Sequence, residues 1–252
     1  MIKVLINGYY GQMGQVISQE IKKDTEMELV AGVDKNKSNN CEDFNIYNNI
    51  FDCNEDIDII IDFSHPSSLP NLLKYSMEKN IPLVIGTTGL SNEDIEKIEN
   101  TSKKIPIFYS ANMSLGINVL VSIVKDIAPI LEDSFDIEII EKHHNKKIDA
   151  PSGTAYMIAD EINKELNNSK EYVFGRNTKT NKREKKEIGI HAIRGGTIVG
   201  EHSVMFAGCD EVIEIKHSAS SKKIFAQGAI KAAKFLYNQE NGLYNMENLI
   251  KK

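Results

Sequence analysis

The chain opens with KVLIN (3 to 7), a strand-like apolar run. GYYGQMG (8 to 14) follows at once, and then a segment, GQVISQEIKK, whose apolar residues recur at helical spacing. Glycines at 8, 11 and 14 between a strand and a helix let the backbone turn tightly and come close to a bound group. The helix that begins there offers free N–H groups and a partial positive charge to an anion. The spacing GxxGxxG departs from the more familiar GxGxxG and would by itself suit an ordinary tight turn. Asp34 adds the missing context. It closes the next strand-like run, ELVAGV (28 to 33), twenty positions after Gly14, where a carboxylate can accept hydrogen bonds from ribose hydroxyls. A strand, glycine turn, helix, strand and acid in that order predict a dinucleotide site. A carboxylate there disfavours a 2'-phosphate, whereas the ammonium group of Lys35 can reach one. The expected cofactor is therefore a nicotinamide dinucleotide, NADH ahead of NADPH.

The alternation that begins this way continues. DIIIDF (58 to 63), PLVIG (82 to 86) and IPIFYS (105 to 110) read as further strands, with the amphipathic segments SLPNLLKYSMEK and SNEDIEKIENTSKK between them. Ser91 with Asp94 has the form of a capping box. The polar stretch from Lys35 to Asn45 reads as a loop. Such alternation predicts a parallel sheet with helices on its faces. Three segments lie at the carboxyl edge of that sheet, where doubly wound folds bind ligands: DFSHPSS (62 to 68), GTTG (86 to 89) and SANMS (110 to 114). His65 is read as a helix-entry residue with Pro66 rather than as a catalyst.

After about residue 112 the rhythm changes. A long apolar helix, LGINVLVSIVKDIAPIL, leads to a strand FDIEIIE and, further on, to a helix from about Thr154 to Asn167. The dense charge run TKTNKREKKE (178 to 187) reads as a solvated loop or strand margin. IGIHAI, TIVGEHSVMFA and EVIEIKHSA then follow one another without helices, which predicts an antiparallel or mixed sheet. The last helix, KIFAQGAIKAAKFLYN, carries a face of Gly228, Ala229, Ala232 and Ala233 suited to close packing, expected against the first domain. The fold expected is α/β: a Rossmann-like dinucleotide-binding domain over 1–112 and 219–252, and a second α+β domain with a mixed open sheet over 113–218.

Between strand and helix of the second domain stands EIIEKHHNKKIDAPSGTA (138 to 155). Glu138 and Glu141 have opposite parity on the strand. His143 and His144 point to different sides if the strand continues, so one can meet a substrate while the other orients. Lys147 supplies a cation and a proton donor. Pro151 fixes a turn, Gly153 opens the backbone, and Thr154 starts a helix whose N–H groups suit an anion. Together these parts describe a site for a small dicarboxylate. Zinc is a weaker reading, because adjacent strand histidines diverge and Lys146 and Lys147 repel a dication. No metal is expected.

The net charge of −6 argues against nucleic acid or an anionic membrane surface as the main partner. Cys41, Cys53 and Cys209 are odd in number and widely spaced, which suits a reducing compartment. With no leader-like start and no run of eighteen apolar residues, a cytoplasmic setting is expected.

The eighteen-residue cluster resembles the long motif of the dihydrodipicolinate reductase (4-hydroxy-tetrahydrodipicolinate reductase) family. GYYGQMG, DFSHP, GTTG, SANMSLGIN and RGGTIVGEH resemble further segments of that family in the same order. The resemblance implies a Rossmann-like domain completed by the last helix, a mixed sheet that holds substrate, and a homotetramer assembled through that sheet. It implies that His143 is the acid/base residue, that Lys147 is the proton donor, and that His144, Gly153 and Thr154 bind substrate. The implied cofactor positions are Gly8, Tyr9, Tyr10, Gly11, Gln12, Met13, Asp34, Gly86, Thr87, Thr88, Ser110, Ala111, Asn112 and Met113. Tyr9 and Tyr10 replace smaller residues, and Gln12 stands where many members carry Arg, which bears on the phosphate side of the cofactor.

The reaction so implied passes hydride from the nicotinamide to C4 of an unsaturated cyclic dicarboxylate and a proton from Lys147 or His143, with Glu141 tuning the imidazoles. A hinge near 112 to 114 and 218 to 221 is expected to close the two domains. Two other readings account for the glycine turn and Asp34: an amino-acid or aspartate-type dehydrogenase, which leaves the PSGT turn unexplained, and a non-catalytic dinucleotide-binding redox sensor, which gains nothing from the proton-transfer side chains.

Overall fold

The structure is a computed structural model that describes residues 1–35, 43–177 and 179–251. Cys41, most of the polar stretch after Lys35, and Thr178 at the head of the charge run lie outside the described residues. The chain divides into two compact units, Met1–Leu115 with Lys222–Lys252, and Gly116–Ser221.

The first unit is built on strands β1 (Ile2–Asn7), β2 (Met27–Val33), β3 (Asn45–Tyr47), β4 (Ile59–Asp62), β5 (Leu83–Ile85) and β6 (Pro106–Tyr109). Its helices are α1 (Gln12–Ile21), α2 (Leu69–Lys79) and α3 (Asn92–Ser102). All neighbouring strands pair in parallel, in the order β3, β2, β1, β4, β5, β6, and a late strand, β12 (Gly242–Tyr244), joins at the β6 edge. This is the doubly wound order, with its switch point between β1 and β4. Every residue of β4 is buried, as expected of a central parallel strand covered on both faces. Ser91 and Asp94 do form a capping box on α3.

One face of the sheet packs on α1 and on α6 (Lys223–Leu236), the chain's return to this unit. Ala229, Ala232 and Ala233 are fully buried there, and a Cβ on Gly228 would occupy the position of the Met113 carbonyl. The small face of the last helix thus permits a close approach that larger residues would block. The other face packs on α2 and α3 through Leu69, Leu72, Leu73 and Ile98. Three short elements of this unit escape the hydrophobic pattern because they are too short to show a period: β3, which begins where a loop was expected to end, β12, and α7 (Met246–Ile250).

The second unit begins with α4 (Leu115–Leu131), in which Ile117, Leu120, Val121, Val124 and Ala128 form one buried stripe. That stripe packs with α5 (Gly153–Glu165) on one side of a five-stranded mixed sheet. The strands are β7 (Asp136–His143), β8 (Glu171–Phe174), β9 (Glu187–Arg194), β10 (Gly200–Ala207) and β11 (Val212–Ala219), in the order β11, β10, β7, β9, β8. β7 pairs in parallel with β9 and antiparallel with β10.

Along β7 burial alternates strictly, so Ile137, Ile139, Glu141 and His143 share the inward face. Each fully buried isoleucine there contributes about 1.5–3 kcal/mol, whereas the last two positions place polar groups inside, which is costly unless they are paired. β8 was not expected from the sequence. The described part of the charge run is mostly exposed, as expected, with Arg183 and Glu187 half-buried at the strand margin. Arg183 donates to Glu138 and Asp136 and to the backbone carbonyl of Glu187, lying across the sheet margin instead of in a free loop.

Candidate active site

In the first unit the glycine turn joins β1 to α1 at the switch point. Gly8 adopts φ +84, a left-handed conformation that favours glycine, and a Cβ there would strike the backbone of Phe63. A Cβ on Gly14 would strike the carbonyls of Gly8 and Tyr9. Gly11 is the N-cap of α1 and provides no side-chain cap, so the first N–H groups of that helix have no side-chain acceptor from their own cap. This is a cradle for an anion such as a pyrophosphate, and the residues fit a dinucleotide.

Beside the turn lies a cavity of about 360 Å³, lined among others by Asn7, Gly8, Gly11, Asp34, Lys35 and His65. Asp34 accepts the Tyr10 N–H at 3.0 Å, bracing the turn while presenting its carboxylate to the cavity. Lys35 Nζ lies 3.2 Å from Ser67 Oγ on the same wall. His65 caps a short 3-10 turn by accepting the Ser67 N–H, the helix-entry part expected of it.

The remaining expected cofactor residues divide by exposure. Gln12, Thr88 and Ala111 are exposed, and Tyr10, Met13 and Ser110 are half-buried. Tyr9 and Met113 put their side chains in the core, and Gly86 is buried against the Phe63 ring. Thr87 Oγ1 donates to Asp62 at 2.7 Å and accepts the Ser64 N–H at 2.8 Å. Ser110 and Asn112 hold their own loop: Ser110 Oγ donates to the Asn112 carbonyl, and Asn112 Oδ1 accepts the Ser114 N–H.

Asp62 itself is buried and also accepts from Asn7 and Ser64. Burial pushes its carboxyl above the ordinary range, against hydrogen bonds from Ser64, Thr87 and Asn7. This network ties the ends of β1, β4 and β5 together under the cavity. Reading the sequence also missed Lys222, whose Nζ meets Gln12 Oε1 at 2.6 Å in the first turn of α1. A cation beside a helix N-terminus is unfavourable without an anion between them.

In the second unit the inward polar end of β7 is fully accounted for. Glu141 has no exposed surface. Its Oε2 lies 2.6 Å from His143 Nδ1 and its Oε1 accepts the Ser152 N–H at 2.9 Å. Arg194 closes on the same carboxylate with Nη1 at 2.7 Å and Nη2 at 2.8 Å, a two-pronged grip. Burial would raise the Glu141 carboxyl, but the hydrogen bonds from Arg194, His143 and the Ser152 amide prevail and hold it below the usual carboxylate range.

Ser152, two residues before the expected start, is the N-cap of α5 and accepts the Ala155 N–H. Gly153 and Thr154 are the first residues of that helix. Ser152 Oγ also meets His202 Nε2 at 3.0 Å, and the His202 ring stands edge-on to His143 at 5.2 Å. Burial, with the His143 charge adding, pushes His202 down to about 4, so it is uncharged at neutral pH.

β7 ends at His143, so His144 turns away as the chain leaves the strand, and its Nδ1 is buried without a hydrogen-bond partner. Lys147 pairs with Asp149 at 2.8 Å. His143, His144, Lys147, Gly153 and Thr154 thus belong to one segment that runs from the last residue of β7 to the first turn of α5. Arg194, Ser152 and His202, which hold that segment, had no role in the sequence reading. Arg194 sits opposite His143 in the β7–β9 register and His202 opposite Glu141 in β7–β10. Among the described residues no group of three or more His, Cys, Asp or Glu is arranged to hold a metal ion.

Residues 2–113 match the family profile "Dihydrodipicolinate reductase, N-terminus" and residues 116–250 match "Dihydrodipicolinate reductase, C-terminus". The 4-hydroxy-tetrahydrodipicolinate reductase of Caldanaerobacter subterraneus subsp. tengcongensis is 57% identical over 252 residues, covering 100% of this chain and 99% of the relative. That of Clostridium tetani is 51% identical, covering 99% and 97%. A solved structure, dipicolinate-bound dihydrodipicolinate reductase from Paenisporosarcina sp. TG-14, shares the fold with a TM-score of 0.84 at 23% identity, over 99% of this chain and 100% of that one.

Proposed function

The chain belongs to the dihydrodipicolinate reductase family, and from that premise we infer the reaction and the side chains that carry it. It reduces 4-hydroxy-tetrahydrodipicolinate to tetrahydrodipicolinate with a pyridine nucleotide, a step of lysine and diaminopimelate biosynthesis. The observation that carries the assignment of roles is the cluster at the end of β7. An acid/base imidazole, an ammonium group and a capped helix start lie within one short segment, and the imidazole is anchored by a buried carboxylate.

The first unit holds the nucleotide, with the amides of Gly8 to Met13 and the start of α1 on its phosphates and Asp34 on the adenosine ribose. Lys222 adds a cation on the phosphate side, where Gln12 has none. Asp34 favours NADH, and Lys35, beside Ser67, allows NADPH to serve. When bound, the reduced nicotinamide supplies the hydride that C4 of the ring receives.

The second unit holds the substrate. His144, Gly153 and Thr154 bind its carboxylates, the last two through the amides of the α5 N-terminus. Lys147 exchanges its partner Asp149 for a substrate carboxylate and then stands close to the ring. Loss of water from the 4-hydroxy compound leaves an unsaturated ring, and hydride addition at C4 leaves an enamine that needs one proton. Lys147 or His143 donates it. Dipicolinate, the ligand named for the Paenisporosarcina structure, is a planar dicarboxylate of the same class and serves as a probe.

A homotetramer through the uncovered side of the five-stranded sheet fits the exposure of Ile193 (45%) and Val212 (59%), and the mass in solution tests it. A cytoplasmic setting fits the free thiols of Cys53 and Cys209, and no helix among the described residues is long and apolar enough to cross a membrane.

The roles are tested by following NADH absorbance with freshly generated 4-hydroxy-tetrahydrodipicolinate. Lys147→Ala is expected to lower turnover by about 100-fold or more, within the range of a lost proton donor, with NADH affinity unchanged. Near-normal turnover would reject the role of Lys147.

A further inference from the structure

The polar cluster at the inward end of β7 holds more than the proposed chemistry uses. His143 and Lys147 have parts in the reaction, whereas Glu141 is buried completely and touches neither open space nor a surface residue's charge other than Arg194. Its environment fixes both its state and its direction. The Arg194 guanidinium meets both carboxylate oxygens and also donates to the Asp149 carbonyl, so the pair is pinned to the loop that carries Lys147.

An ionised carboxylate can only accept hydrogen bonds. At 2.6 Å from Oε2, His143 Nδ1 must therefore be the donor, and Nε2 is the nitrogen left to exchange a proton. Gly200 faces that nitrogen, and even a methyl group there would come within 3.1 Å of Nε2. The other carboxylate oxygen takes the Ser152 N–H, and Ser152 caps α5. One side chain therefore joins the ring of His143 to the helix start that receives the substrate.

We propose that Glu141, gripped by Arg194, is the positioning residue of this reductase: it dictates which nitrogen of His143 carries the proton and holds that ring in register with the N-terminus of α5. The inference rests on reading His143 as an acid/base group. A partner that served only to neutralise Arg194 would leave the tautomer of His143 indifferent to its loss. A positioning carboxylate would not.

The test uses the full chain with ¹⁵N-labelled histidine. Nuclear magnetic resonance reads the His143 tautomer, NADH oxidation reads kcat and KM, and NADH affinity controls for folding. In Glu141→Gln the amide can donate to Nδ1, so His143 is expected to shift its proton to Nε2. kcat is expected to fall by about 100-fold or more, as when a catalytic histidine is held in the wrong tautomer, with NADH affinity unchanged. Glu141→Asp is expected to restore the Nδ1–H form and part of kcat. Should Glu141→Gln fail to fold, the double variant Glu141→Gln/Arg194→Gln, which strands no buried charge, takes its place with the same readouts and the same expected fall.

An unchanged tautomer, or a kcat within about threefold of the parent, would overturn the proposal. His143→Asn distinguishes the two levels. If it abolishes turnover while Glu141→Gln does not, the positioning role alone is wrong. If His143→Asn turns over normally, the acid/base reading fails and the positioning role falls with it.

Discussion

Among single residues, the buried His202 and the half-buried His217 of the second unit shape its response to acid. His202 is driven down to about 4 by burial and by the charge of His143, and burial lowers His217 as well. Unfolded, both would take up a proton near pH 6.5, whereas folded they resist it. The unfolded state therefore binds more protons over this range. The stability they contribute is complete above pH 6.5 and is lost as the pH falls below it, towards about 4 for His202. For His202 the loss is on the order of 3 kcal/mol. Glu138 and Glu141, which burial would raise but their hydrogen-bonding partners hold low, lose their contribution as the pH falls through the ordinary carboxylate range towards their lowered values. Urea unfolding at pH 7 and pH 5 is expected to show a clear drop in the parent and a smaller one in His202→Gln. Equal drops in both would show that His202 is not the source. His143, His144 and Lys147 could be read in the sequence because they crowd one segment. Arg194 and His202 could not, since they lie about fifty and about sixty residues from Glu141 and only strand register brings them to it. Their sequence signal was their place at the two ends of RGGTIVGEH, a segment that the resemblance singles out without giving either residue a role.

At the level of elements, the glycine turn and the start of α5 do similar work by different means. One exposes helix N–H groups by leaving the cap without a side chain, and the other caps with Ser152 and follows with Gly153. The first was legible because three glycines at fixed spacing between a strand and a helix admit few explanations, and the Cβ clashes at Gly8 and Gly14 supply the physical reason. The second begins one residue before the expected Thr154, because PSGT offers two hydroxyl groups that can cap and spacing does not choose between them. Gly14→Ala is expected to weaken NADH binding by about tenfold or more, since the new methyl group must push the turn off the first turn of α1. Calorimetric titration with NADH checks this, and an affinity within twofold of the parent would mean that the turn does not hold the nucleotide. Dipicolinate affinity is the internal control and is expected to be unchanged.

Across the whole molecule, the long periodic segments decided the fold. Five of the parallel strands, their helices, and the change of rhythm after residue 112 were all readable, because apolar runs of different period mark them. β8, β12 and α7 were not, because at three to five residues no period develops and their pairing is set by distant strands. The central claim is that the two units divide the work, the first holding the nucleotide and the second the dicarboxylate. Chemical-shift mapping of the full chain, titrated separately with NADH and with dipicolinate, tests it most directly. NADH is expected to move the amides of 8 to 14, 34, 35 and 86 to 88. Dipicolinate is expected to move those of 143, 144, 147, 153 and 154 together with the His143 side chain. Dipicolinate shifts confined to the glycine turn, or absent from the β7 to α5 segment, would contradict the account.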